Sequence, residues 1–355
     1  MDPEEEKHVH SIMTHACVAK GKKEIAVEQR ELKYSDDDVV VQVECGGICG
    51  SDIHYYHEGR AGLSVIKQPL VIGHEFVGRI FQAPAASGLE PGQKVAINPS
   101  QPCGQCEYCR AGKQNACATM RFMGSAQFTP HVNGGFAQYV VVPAKQCVTY
   151  DEQVPASVMA VAEPTAVVIH ALNVAGSIVG KRVLVMGAGP IGALAIAAAS
   201  ASGAAEIVAF DPSERCRRIA VEMGADAAVD ASDRAAVARY GENRGYFDVT
   251  LEASGAEAAI ESSILVTRPG GVVVQIGMGK SPLNFPVAQM LVKEISWKGS
   301  FRFIDEFDVA VKWLEKGIID PRPILSGNYA YHDIEAALKA ASDKTQHSKV
   351  LVQFS

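Results

Sequence analysis

A chain of 355 residues, 48% of them hydrophobic and 21% charged, is long enough for two hydrophobic cores and lacks the composition of a disordered protein. Its formal net charge is -7, with Lys and Arg scattered rather than gathered in a stripe, which argues against a nucleic-acid surface. No apolar run reads as long and uncharged enough to span a bilayer, and acidic residues stand where a secretion signal needs basic ones, so a cytoplasmic protein with no membrane partner is expected.

Residues 2–10 (DPEEEKHVH) are charged and lack an apolar period, so they are expected to form a loose tail. Up to about Met159, short β-like runs alternate with turns. VVVQVE at 39–44 and FAQYVVV at 136–142 predict strands, while Gly46-Gly47, Pro91-Gly92 and Asn133-Gly134-Gly135 predict turns. This portion reads as a β-rich domain with irregular connections.

Inside it lie Cys103, Cys106, Cys109 and Cys117, spaced C-x2-C-x2-C-x7-C. Four thiolates surround one Zn2+ tetrahedrally and leave no position for a substrate. The expected role is therefore to hold a loop too polar to build its own core. Short cysteine spacing also suits an iron–sulfur cluster, although the proline that often follows such a run is missing. The odd total of nine cysteines, without a secretion signal, argues against a disulfide scaffold.

Past Met159 strand-like and helix-like runs alternate, which predicts a parallel sheet covered by helices and an α/β fold class. KRVLVM at 181–186 leads into Gly187-Ala188-Gly189-Pro190-Ile191-Gly192 and an alanine-rich helical run. The first glycine of this G-x-G-x-x-G allows a tight turn, the second lets a pyrophosphate approach, and the third lets helix pack on strand. EIVAF at 206–210 ends at Asp211, whose carboxylate suits the ribose hydroxyls of NAD and repels the 2′-phosphate of NADP. Arg215, Arg217 and Arg218 follow closely, as a solvated helix face or with one of them, such as Arg215, offsetting part of that repulsion, so some use of NADP(H) remains compatible. The tail predicts helices at 306–316 and 333–341 and a last strand at 349–353. The expected division is a catalytic domain over 1–160, a Rossmann-type NAD-binding domain over 161–301, and a return segment over 302–355.

Cys49 in GGICGSDIH, His74 and Glu75 in GHE, and Glu163 in AEP are of metal-ligand type. A thiolate, an imidazole and a carboxylate hold Zn2+ while leaving a position for a substrate oxygen. Their spacing does not assemble them. Taken singly, each reads equally well as a buried thiol, a core histidine or a helix-capping acid.

The chain also carries GGICGSDIHYYHEGRAG at 46–62, PLVIGHEFVG at 69–78, INPSQPCGQCEYC at 97–109, MRFMGS at 120–125, AEPTAVVIH at 162–170 and KGSFRF at 298–303. With GAGPIG at 187–192, these blocks resemble the zinc-containing medium-chain alcohol dehydrogenases along essentially the whole length. Within them the likeness is to the polyol dehydrogenase branch and its bacterial L-idonate-oxidising members. The resemblance implies a β-rich catalytic domain of GroES-like fold beside the Rossmann domain. It implies two zinc ions per chain, a structural one on the four cysteines and a catalytic one on Cys49 and His74. Glu75 is implied to bind or adjoin that metal. Glu163 is implied to bind zinc or hold its water, where simple-alcohol enzymes carry a second cysteine. Ser51 resembles the relay hydroxyl, His54 its continuation toward solvent, and Tyr55 and Arg302 the substrate-facing pair, with Phe122 as a wall. A homo-oligomer is implied, a tetramer favoured over a dimer. The expected reaction is oxidation of a secondary alcohol of a sugar acid with NAD(H). Competing expectations are a neutral polyol such as sorbitol or xylitol, L-threonine, and a non-catalytic zinc- and nucleotide-binding protein.

Overall fold

The computed structural model describes residues 8–279 and 283–354 and falls into two units. One runs to Glu163 and resumes at Leu325, and the other is Pro164–Ile324. The chain thus rejoins the first unit later than the expected 302. Helix Glu306–Glu315 stays with the second unit because its first residue is bound by His170 and Asn173. The expected loose tail lies partly outside the described residues. Its last two members, Val9 and His10, already pair with Ser35 and Tyr34.

The main sheet of the first unit is built around strand Val39–Gly47, whose run of valines is buried. It pairs antiparallel with Glu75–Gln82, Tyr139–Val142 and Lys349–Gln353. The register sets Glu75 opposite Gly47, and Leu351 opposite the same glycine from the other side. Three chain segments far apart in sequence therefore meet at one end of one strand. Close approach requires glycine there. A Cβ on Gly73, at φ +89°, would fall 2.0 Å from the Phe136 ring.

The second unit is a six-stranded parallel sheet in the order Ala227–Val229, Glu206–Phe210, Arg182–Met186, Phe247–Glu252, Thr267–Gln275, Ser296–Gly299. The chain starts at the centre, works outward on one side, then crosses back. The strand order therefore reverses between Arg182–Met186 and Phe247–Glu252, the position where doubly wound sheets bind dinucleotides. Helix Pro190–Ala201 opens with proline at its first turn and is buried over residues 192–199. Its alanines lose little side-chain entropy and let the helix lie close on the sheet.

The helical stretch Ala156–Ala175 is long and apolar enough to cross a membrane, contrary to the reading of the sequence. However, 83% of its apolar window is buried inside the protein, which marks it as a core helix. Composition alone does not distinguish the two because lipid and a protein interior select the same side chains.

Candidate active site

Cys49 ends the central strand's connection and caps helix Gly50–Glu58. Its N–H donates to Asp52 Oδ2 at 3.0 Å, while Asp52 Oδ1 accepts from Gly73 N–H at 3.2 Å. Asp52 is fully buried, so this one carboxylate ties the segment carrying Cys49 to the segment carrying His74. Ligand-type atoms of Cys49, His74 and Glu75 all lie within 4.8 Å of one another. Glu163 is buried at the start of helix Ala162–Ala175, and its charge reaches both His74 and Lys349.

Lys349 is the residue that sequence reasoning missed. Its ammonium donates to both Glu75 oxygens, at 2.9 and 2.7 Å, and to the Ile48 carbonyl at 3.2 Å. A lysine in a final strand carries no local signal of this role. Only the pairing of strand Lys349–Gln353 with Val39–Gly47 brings it there.

The electrostatics favour a cation. Burial disfavours protonated His74, yet the negative Cys49 sulfur, its hydrogen bond, and then Asp52 and Glu163 raise the imidazole's pKa well above its ordinary value. Burial likewise opposes charged Lys349, but Glu75 first and then Cys49 overcome it and raise its pKa. Three carboxylates, Asp52, Glu75 and Glu163, outnumber the two cations, Lys349 and protonated His74, and leave negative charge in excess. His74 Nδ1 is buried with no hydrogen-bond partner. A soft sulfur, an imidazole nitrogen and a carboxylate form the donor set of a zinc site with an open position, so the residues fit that metal.

The four cysteines lie between the short strands Ser100–Gln101 and Arg121–Phe122, with Cys106 capping the single-turn helix Glu107–Arg110. Their sulfurs all lie within 4.8 Å, and those of Cys103 and Cys109 are 4.0 Å apart. A zinc tetrahedron with sulfur at 2.3 Å has edges of about 3.8 Å, so the set needs little movement to close. N–H donors, that of Gln105 first, pull the Cys103 thiol down to about 6, whereas burial pushes Cys109 up to about 12. All four ionise together only with a cation among them. They pack with Met120 and Phe122 in a small cluster of their own.

The other expected site residues are scattered in character. Phe122 is buried with its ring 5.5 Å from that of His74, so it walls the metal group from the cysteine side. Ser51 is half-buried in the first turn after Cys49. The His54 side chain is 59% exposed, with Nδ1 3.3 Å from Glu58 Oε1, which leaves it in contact with solvent. Tyr55 packs into the core of the first unit, and its hydroxyl accepts the Ala126 N–H at 2.9 Å. That hydroxyl accepts from the backbone and keeps its own O–H as a donor. Arg302 is half-buried with its guanidinium 4.8 Å above the Phe301 ring.

In the second unit each glycine of the motif has its own reason. Gly187 has φ +89°, and a Cβ there would meet Ser254 at 2.8 Å. A Cβ on Gly192 would fall 1.8 Å from the Gly187 carbonyl, too close for anything but glycine. A Cβ on Gly189 meets nothing within 4 Å, so the protein itself does not require glycine there. Open space before the N-terminus of helix Pro190–Ala201 is what a pyrophosphate needs, and Pro190 at its first position has no N–H to leave unpaired. Ile191 follows it, half-buried. Asp211 accepts the N–H of Ala188 through Oδ2 and of Ser213 through Oδ1, both at 2.8 Å, bracing the glycine turn. Arg215 holds a buried Nη1 with no partner, and Arg217 donates to the Asp211 and Pro212 carbonyls. The cradle fits a dinucleotide.

Residues 35–152 match the alcohol dehydrogenase GroES-like domain, and residues 190–316 match the zinc-binding dehydrogenase domain. The chain is 47% identical to the L-idonate 5-dehydrogenase (NAD(P)(+)) of Escherichia coli, over 97% of this chain and 99% of that protein. The crystal structure of L-idonate 5-dehydrogenase from Escherichia coli superposes with a TM-score of 0.95 at 46% identity, covering 98% of this chain and 99% of that one. A probable D-xylulose reductase A of Neosartorya fischeri is 38% identical over 91% of this chain and 92% of its own length. With both donor sets and the dinucleotide cradle in place, the chain belongs to the zinc-binding alcohol dehydrogenase family and is a zinc-dependent, NAD(P)-linked oxidoreductase of secondary alcohols.

Proposed function

We propose that the protein oxidises the C5 hydroxyl of L-idonate to give 5-keto-D-gluconate, using NAD(H) with some acceptance of NADP(H). The observation that carries this reading is the group of half-buried Cys49 with buried His74 and Glu75, enriched by Glu163, in a chain 47% identical to a protein of that activity. Zinc held by Cys49 and His74 would supply Lewis acidity toward the alcohol oxygen, and NAD held in the glycine cradle would supply the hydride acceptor.

Cys49 and His74 hold the metal together with a carboxylate. Lys349 fixes Glu75 by both oxygens, which leaves Glu163 to bind the metal or its water. Ser51, in the first turn beyond Cys49, takes the alcohol proton, and the exposed His54 passes it to solvent. Arg302 pairs with the sugar-acid carboxylate. Phe122 contributes an apolar wall beside His74, and Tyr55, whose hydroxyl accepts the Ala126 N–H and keeps its own O–H, donates to a substrate hydroxyl. Gly187, Gly189, Pro190, Ile191 and Gly192 cradle the pyrophosphate. Asp211 receives the ribose hydroxyls, and the unpartnered Nη1 of Arg215 favours tolerance of a 2′-phosphate. The working form is a homo-oligomer, a tetramer rather than a dimer, which light scattering on the purified protein checks.

The likeness to a probable D-xylulose reductase A supports a second reading, a neutral polyol such as xylitol or sorbitol. Initial rates with L-idonate, sorbitol, xylitol and L-threonine, each with NAD and NADP, separate the two. The highest kcat/KM belongs to L-idonate if the sugar-acid reading holds, and a clear preference for a neutral polyol overturns it.

A further inference from the structure

The loop between strand Ser296–Gly299 and helix Glu306–Glu315 leaves the carboxyl end of a parallel strand. In open α/β sheets this is the edge where ligands bind. The loop carries Arg302 at φ +54°, a left-handed conformation that arginine adopts rarely. Such a state persists only where the surroundings over-determine it.

The surroundings here are specific. Before the loop, Lys298 Nζ donates to the Val174 carbonyl at 3.0 Å, and Ser300 N–H donates to the Gln275 carbonyl at 2.9 Å. After it, Glu306 takes three donors. His170 Nδ1 and Asn173 Nδ2 each reach Oε1 at 2.9 Å, and the N–H of Ile304 reaches Oε2 at 2.6 Å. Residues 170–174 of one helix therefore tether both ends of the loop, and Phe303 is buried between the tethers. Burial tends to raise the Glu306 carboxyl, but the hydrogen bonds of His170, Ile304 and Asn173 hold it down at about 2. An ionised, buried carboxylate with three donors has one strongly preferred position.

We propose that His170, Asn173 and Glu306 are positioning residues, forming a clamp that holds the Arg302 loop in the backbone state that presents its guanidinium to the substrate's carboxylate. The substrate half of this statement rests on the sugar-acid reading above. Nothing in the motifs announced it, because residues 170 and 306 are 136 apart in sequence.

The test uses the zinc-loaded full chain with L-idonate and NAD. Glu306→Gln raises KM for L-idonate roughly tenfold, the scale of one weakened charge-assisted network, while kcat and the KM for NAD stay close to wild type. In an Arg302→Ala background the same substitution adds no further rise, since both changes act through one guanidinium. Hydrogen exchange of the amides at 300–304 accelerates in Glu306→Gln. Asn173→Ala removes a single donor and gives a smaller change of the same pattern, which keeps the test usable where Glu306→Gln folds poorly. A KM rise that simply adds to that of Arg302→Ala, or unchanged exchange at 300–304, overturns the clamp. If Arg302→Ala leaves the L-idonate KM unchanged while exchange still accelerates in Glu306→Gln, the carboxylate reading falls and the loop-holding role is supported.

Discussion

The two metal groups are assembled in opposite ways. Cys103, Cys106, Cys109 and Cys117 come from one loop and pack with Met120 and Phe122. The Cys49 group draws on segments as far apart as Glu75 and Lys349, 274 residues distant, and includes a protein cation before any metal enters. The local group needs its metal to become a structure. The dispersed group is already a structure, braced by Asp52 and Lys349, and the metal gives it reactivity. This difference explains why a closed shell suits the first and an open shell the second.

Substitutions break that comparison in order of effect. Cys49→Ala is expected to lower kcat by roughly three orders of magnitude or more, because the alcohol oxygen loses its activating metal. Metal analysis then finds one zinc per chain, with folding nearly intact. Retained turnover overturns the assignment of Cys49. Cys106→Ser gives the reverse pattern. One zinc is again lost, but the melting temperature falls by many degrees, since metal affinity there is folding free energy. The folded fraction keeps far more activity than Cys49→Ala does. A normal melting temperature with the metal gone removes the structural role.

Lys349→Met sharpens the role of the built-in cation. It leaves the Glu75 carboxylate buried without its partner, a loss of about 3–5 kcal/mol in a urea titration of the metal-free protein. Added zinc recovers part of that loss, which a merely volumetric defect does not allow. The smallest effect comes from acid. Glu306 lies at about 2 in the folded chain against an ordinary 4.5. Its ionised form stabilises the fold fully above about 4.5, and that contribution, at most about 3 kcal/mol, is lost as pH falls through about 2. The stability advantage of wild type over Glu306→Gln therefore shrinks between about pH 5 and pH 2. An advantage independent of pH excludes an ionic contribution.

Much of this was legible because it is local. The glycine turn, the strand before it and the alanine-rich helix after it are contiguous in sequence, and Gly192 answers a clash with the nearby Gly187 carbonyl. The cysteine spacing is short for the same reason. Strand Glu206–Phe210 and its terminal Asp211 follow from a buried apolar run ending at a charge. The Cys49, His74 and Glu75 group was reachable only through family likeness, since no spacing rule joins the ends of different strands. The return boundary was misplaced because helix Glu306–Glu315 is held by a hydrogen-bond cluster, which has no periodicity to read. The membrane-length stretch was misjudged since its burial is a property of neighbours, not of composition.

The sequence by itself determined the fold class, the four-cysteine spacing and the glycine turn, because local propensity and short-range sterics specify them. Only the tertiary structure decided what faces Glu75, where Tyr55 spends its hydroxyl, and what holds the Arg302 loop. Those outcomes depend on β-register and helix packing across hundreds of residues. There a buried charge must find a partner or raise the energy of the whole fold, and the partner is chosen by topology rather than by proximity along the chain.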